Sequence, residues 1–166
     1  MWRAYCIAVP TMNDLRIHHD EALSDPRIAA FLEEHLTDMR RVSPPESVHA
    51  LDLNALRQPG IRFWTGCLGD ALVATAAIKR LDDEHAELKS MRTTAALRGQ
   101  GIAARMLAHA MADARAQGHA RLSLETGPQP FFAPARALYA RHGFQECGPF
   151  GSYGPDPHSY FMTLLL

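Results

Sequence analysis

Residue types and spacing first suggest chemistry at Arg98-Gly99-Gln100-Gly101-Ile102-Ala103. Two glycines let the backbone fold closely around an anion, and the apolar residues that recur from Ile102 onward mark the start of a helix. A helix start offers N–H groups without intrahelical partners and the positive end of the macrodipole. Arg98 adds a formal charge. The stretch reads as a cradle for a pyrophosphate, although the same glycines would also serve a plain strand-to-helix turn. Gly99, Gly101 and Ala104 satisfy a relaxed dinucleotide-binding fingerprint too, with Glu125 about 20 residues on, where a ribose-binding acid would sit. Three details oppose that rival. Thr94 to Arg98 separate the strand from the first glycine, two antiparallel hairpins come before it, and one strand–helix unit follows, too few for a doubly wound domain.

The elements that must position this cradle follow from periodicity. Leu15 to His19 is a first strand after a lead-in over residues 1–13. Ser24 can cap a helix with Pro26 in its first turn, carrying Ile28, Phe31, Leu32, His35, Leu36 and Met39 at helical spacing. Ser43-Pro44-Pro45-Glu46 breaks it, and a second short helix is expected over Leu51 to Arg57. Ile61 to Cys67 and Ala71 to Lys79 flank Leu68-Gly69-Asp70 as a hairpin, and Ala86 to Thr93 adds a third antiparallel strand. Ile102, Met106, Leu107, Ala110 and Ala114 stripe a long helix closed by Gly118. A strand at Leu122 and Leu124, a helix opened by Pro134, and a last strand over Ser159 to Leu165 complete a mixed sheet with helices on both faces.

Composition bounds the classes of function. The 166 residues suit one domain, spanning residues 14–166, with no linker or repeat. Seventeen basic against eighteen acidic residues give a net charge of −1, so no cationic field steers the chain to nucleic acid or a membrane surface. No apolar run is long enough to span a bilayer or serve as a signal peptide. Three widely spaced cysteines, Cys6, Cys67 and Cys147, read as reduced thiols of a cytoplasmic protein. The nine histidines form no HExxH or paired Cys/His pattern, so no metal is expected.

A second motif lies downstream in Ala135-Arg136-Ala137-Leu138-Tyr139-Ala140-Arg141-His142-Gly143-Phe144. With Arg98-x-x-Gly101-x-Ala103 before it, the chain resembles the GNAT superfamily of N-acetyltransferases, which pairs an R/Q-x-x-G-x-G/A loop with a later A-x-x-L-Y-x-x-x-G-F helix end. The similarity runs from about Leu15 to Leu166. It is nearest to a small bacterial GNAT group marked by Ser-Pro-Pro-Glu-Ser at 43–47, Glu87-Leu88-Lys89-Ser90-Met91-Arg92-Thr93 and Leu124-Glu125-Thr126-Gly127. Two positions depart from the pattern: Phe132 stands where many relatives carry asparagine, and Ala95 where many carry proline.

The resemblance implies an α/β fold with a mixed, mostly antiparallel sheet of about six to seven strands and about four helices. It implies acetyl-CoA as co-substrate. The amides of Arg98, Gly99, Gln100, Gly101, Ile102 and Ala103 would hold its pyrophosphate. Backbone groups of Met91, Arg92 and Thr93 would pair with its pantetheine arm, and Ala135 would face it. Acetyl transfer to an amine needs a neutral amine, an oxyanion donor and a proton for the departing thiolate. Glu87, on the strand entering the site, is the candidate base, a backbone N–H near Met91 the oxyanion donor, and Tyr139 the acid. The alternatives are a solvated strand carboxylate for Glu87 and a packed aromatic for Tyr139.

Glu125 either binds or deprotonates substrate, or is structural. Trp64 and Tyr153 are candidates for an aromatic pocket, with core or rim packing as the other reading. Glu46, Glu87 and Glu125 would suit a cationic amine. The expected activity is acetylation of a primary amine on a small molecule. The alternatives are a protein N-terminus or lysine as acceptor, or an idle acyl-CoA-binding module; a homodimer is compatible with all three.

Overall fold

Asp25, rather than the expected Ser24, caps the first helix. Its carboxylate accepts from Arg27 N at 2.9 Å, Pro26 fills the first helical position, and the Ser24 amide donates instead to Asp20. The resulting α1 (Pro26–Val42) buries Ile28, Phe31, Leu32 and Leu36 and stops at the Ser43-Pro44 step. The computed structural model describes residues 11–166, so Cys6 and most of the lead-in lie outside the described residues. The second helix is shorter than its pattern suggested: α2 (Leu53–Leu56) begins at Asp52, whose side chain accepts from Ala55 N at 2.8 Å.

Seven strands form one sheet: β1 (Arg16–His19), β2 (Ile61–Leu68), β3 (Ala71–Arg80), β4 (His85–Thr93), β5 (Arg121–Thr126), β6 (Gln145–Cys147) and β7 (Tyr160–Leu165). Their order is β1-β2-β3-β4-β5-β7-β6, antiparallel throughout except for the parallel pair β4–β5. The β2–β3 hairpin turns on Gly69-Asp70, with Gly69 at φ 56°. β6 is the strand the periodicity missed. It is three residues long and mostly exposed, and its pairing with β7 alone defines it.

The parallel pair needs a crossover, supplied by α3 (Ile102–Ala116), while α4 (Ala133–Arg141) lies beyond β5. Ile102, Met106, Leu107, Ala110 and Ala114 bury the α3 stripe against Ala74, Ala76 and Ile78 of β3 in the larger core, which also takes Tyr139 of α4. Burying the three large members of that stripe stabilises the fold by roughly 1.5–3 kcal/mol each. Close approach depends on small residues beneath the helix: a Cβ at Gly66 would sit 2.9 Å from Met106 Sδ and 3.2 Å from Ala74 Cβ. On the other face Phe63 and Ala77 pack under α1 and α2 with Ile28, Leu32 and Leu56.

Trp64 needs correction. Its neighbours in sequence alternate faces, so it points toward α3, where it is 2% exposed and packs edge-on against His109. It belongs to the core and lines no pocket described below. Among the described residues no helix is long and apolar enough to cross a membrane.

Candidate active site

The β4–β5 ladder runs from His85↔Arg121 to Leu88↔Leu124 and stops. Beyond that pair β4 continues only with β3, and β5 only with β7. The strands part because β4 carries an extra residue. Two steps on β3, from Ala77 to Thr75, face three on β4, from Lys89 to Arg92, and Ser90 takes a positive φ of 53°. The Thr75 hydroxyl fixes this bulge by donating to the Ser90 carbonyl at 2.8 Å in the buried core. The gap therefore presents unpaired strand edges, together with the partnerless buried hydroxyls of Ser90 and Thr93.

The cradle opens at the end of this gap. Gly99 (φ 76°) and Gly101 (φ 87°) are left-handed, and Gly101 is the N-cap of α3 with no side chain capping it. A Cβ at either glycine would meet nothing within 4 Å, so these glycines serve backbone conformation and leave open space over the first-turn amides. Arg98 lies 5.8 Å from the Phe131 ring centroid and 3.7 Å from Asp38 of α1. Open space, free amides and unpaired edges fit a phosphorylated, amide-bearing arm.

One hollow lies at the gap, and a second shares a lining residue with it. An inner cavity of about 90 Å³ is lined by β4 and β5 from Leu88 to Met91 and Leu124 to Thr126, by His35 and Met39 of α1, and by Phe132, Ala135 and Tyr139. His49 also lines an outer groove of about 590 Å³ between residues 46–49 and the loop 152–158. Burial pushes the Glu125 carboxyl up to about 7, with Lys89 opposing and Glu87 adding to the shift. Burial and the nearby Arg92 hold His35 down at about 4, so its imidazole is neutral at pH 7. Burial also raises the Tyr139 hydroxyl, keeping it protonated. Glu87 is differently placed. It is 3% exposed and accepts from Lys89 Nζ at 2.8 Å and from the Tyr153 hydroxyl at 2.5 Å.

The acetyltransferase (GNAT) family model matches residues 28–144, which contain the gap, the cradle and α4. This chain belongs to the GNAT acetyltransferase family. It is 48% identical over 144 residues to the uncharacterized N-acetyltransferase YsnE of Bacillus subtilis, covering 87% of this chain and 95% of that one. It is 38% identical over 153 residues to a protein of Azospirillum brasilense named IAA acetyltransferase, covering 91% and 97%. A GNAT acetyltransferase of Elizabethkingia anophelis, solved with acetyl-CoA bound, shares the fold with a TM-score of 0.63 at 14% identity, covering 93% and 99%. Family membership makes the protein an acetyl-CoA-dependent acetyltransferase.

Within this GNAT fold the residues singled out in the sequence divide into groups. Met91, Ala135, Tyr139 and Glu125 line the inner cavity. Gly99, Gln100 and Gly101 are exposed at the cradle, with Ala103 half-buried behind them. Ile102 sends its side chain into the core and leaves its first-turn amide to the cradle. The Arg92 guanidinium is committed to α1, 2.8 Å from Asp38 and 3.2 Å from Glu34, and leaves its backbone to the gap. Tyr153 lines the outer groove. Glu87 lines neither hollow: it is buried rather than solvated, and Lys89 and Tyr153 occupy its carboxylate.

Lys89, His35 and His49 line the cavity and were not singled out. Lys89 carried a usable signal, being two residues from Glu87 and on the same strand face. The histidines carried none, since their placement depends on how α1 and the loop after it pack on the sheet.

Proposed function

We propose that this GNAT enzyme acetylates a primary amine of a small molecule, with Glu125 as the base and Tyr139 as the acid. The observation that carries the reading is a carboxyl raised to about 7 on the wall of the cavity where the two strands part. An alkylammonium has a pKa near ~10.4, so a carboxylate poised near neutrality takes its proton far more readily than an ordinary one. The amine lone pair then attacks the thioester carbonyl. The bulge at Ser90 takes Met91 out of regular register with β3, which supports its N–H as the oxyanion donor. When the carbon–sulfur bond breaks, Tyr139 gives the thiolate its hydroxyl proton, and the second proton shed by the acylated nitrogen restores the phenol, leaving a neutral amide and the CoA thiol. A phenol with a raised pKa does so without being ionised beforehand.

The co-substrate's groups have matching partners. The amides of Gly99 to Ala103 and the Arg98 guanidinium suit a pyrophosphate, and the open edge from Met91 to Thr93, with Ala135 opposite, suits the amides of a pantetheine arm. An inner cavity of about 90 Å³ suits a slender, amine-bearing arm. Acetyl-CoA as donor and the free thiols of Cys67 and Cys147 support a cytoplasmic site of action. In the decisive assay, CoA release is followed with a panel of small primary amines beside peptides offering a free N-terminus or a lysine. Turnover confined to small amines is expected, and turnover confined to peptides would overturn the acceptor class.

A further inference from the structure

The gap between β4 and β5 is closed at its inner end by side chains. Leu88 and Leu124 are the last cross-strand pair of the ladder, and they are 3% and 2% exposed. Both line the inner cavity together with Tyr139, on the sheet face covered by α3 and α4. Behind them, the preceding residues on that face, Ala86 and Leu122, are fully buried. An arm that entered at the cradle and ran back along β4 would bring its acyl group against this pair.

On the reading of the gap as the berth of acetyl-CoA, we propose that Leu88 and Leu124 form a chain-length gate that admits an acetyl group and excludes a butyryl group. The gate is rigid for a packing reason. Interiors are packed about as densely as organic crystals, so a leucine backed by buried Ala86 and Leu122 cannot retreat into the core to make room. A longer acyl chain and the acceptor amine would compete for the same inner cavity of about 90 Å³. Replacing either leucine by alanine removes more carbon than butyryl adds to acetyl, so one substitution suffices to open the gate.

The test is calorimetric titration of acetyl-CoA, propionyl-CoA and butyryl-CoA into the wild-type chain and into Leu124→Ala and Leu88→Ala. It needs no knowledge of the acceptor. Wild type should bind butyryl-CoA roughly tenfold or more weakly than acetyl-CoA, with propionyl-CoA between them. Either alanine variant should narrow or invert that ratio through tighter butyryl-CoA binding. Because both leucines are in the core, Leu124→Val serves as a milder variant and should shift the ratio in the same direction by less. Equal wild-type affinity for acetyl-CoA and butyryl-CoA overturns the gate alone, as does a folded alanine variant that keeps the wild-type ratio. Failure of acetyl-CoA itself to bind overturns the reading of the gap, and the gate with it.

Discussion

The cradle at the start of α3 is assembled from consecutive residues, Arg98 to Ala103. The proposed acid–base wall instead draws Glu125 from β5, Tyr139 from α4 and His35 from α1, beside the Glu87–Lys89 pair of β4 and Tyr153 from the loop before β7. The first region works through backbone donors, so its function is written in local conformation: two left-handed glycines and a helix that begins uncapped. The second works through side chains whose properties are set by partners distant in sequence. Glu87 and Glu125 lie on one face of adjacent strands, since Glu87 pairs with Ser123 and Glu125 is two residues on. One is an acceptor in an ion pair, and burial raises the other to about 7. What separates them is Lys89 and the tyrosine arriving from residue 153. A backbone site therefore reads directly from sequence, whereas a side-chain site needs the fold.

The comparison breaks most visibly at Gly101. Valine there must take a left-handed φ that a β-branched residue resists, and it fills the open space over the first-turn amides. Losing two or more hydrogen bonds to a charged group should weaken acetyl-CoA binding by about 1,000-fold in calorimetry, with the fold retained by circular dichroism. An affinity within threefold of wild type would mean that the cradle is only a turn.

On the side-chain side, Tyr139→Phe keeps the ring packed against Phe144 and removes only the hydroxyl. With chemistry limiting, kcat should fall by about 10²-fold while acetyl-CoA affinity stays nearly unchanged. A smaller effect is expected at Glu87, whose place in the account is structural. Glu87→Gln leaves Lys89 buried beside a neutral partner and should lower stability by roughly 1–3 kcal/mol in urea denaturation. The rising limb of kcat/KM should persist, displaced to lower pH because the Glu87 charge helps to raise Glu125. A Glu87→Gln variant as stable as wild type would show that the ion pair does not hold this wall together.

The smallest effect is thermodynamic, and its sign follows from Glu125. A carboxyl raised from 4.5 to about 7 by burial binds its proton more tightly folded than unfolded, so its contribution is complete below 4.5 and is lost as pH rises through 7. Glu125→Gln escapes that loss. Relative to wild type, the variant should gain roughly 2–6 °C in Tm between pH 5 and pH 8.5. A constant difference across that range would place Glu125 at its ordinary pKa.

Much of the frame was legible because strong periodicity and turn chemistry agree with tertiary packing. The α3 stripe closed by Gly118, the hairpin at Gly69-Asp70 and the helix opened near Pro134 all stand where their patterns put them. β6 was not legible, since Gln145–Cys147 has no apolar alternation and is a strand only by lying beside β7. Trp64 misled because an aromatic on a strand shows its face only once register is known, and that face lies under α3. In the site, the sequence singled out both carboxylates and the tyrosine of α4 as candidates. It could not rank Glu87 and Glu125, because neither Lys89's pairing nor Tyr153's arrival is a local property.

That ranking is the central claim, and one measurement tests it directly. Once an amine acceptor is in hand, kcat/KM is measured from pH 5.5 to 9.5 for wild type, Glu125→Gln and Glu87→Gln. Wild type should rise through a group titrating near 7, and Glu87→Gln should retain that limb at somewhat lower pH. Glu125→Gln should lose the limb, run about 10²-fold slower at pH 7 and recover as pH nears the amine's own pKa. Loss of the limb in Glu87→Gln, with the limb intact in Glu125→Gln, would contradict the account and return the base to β4.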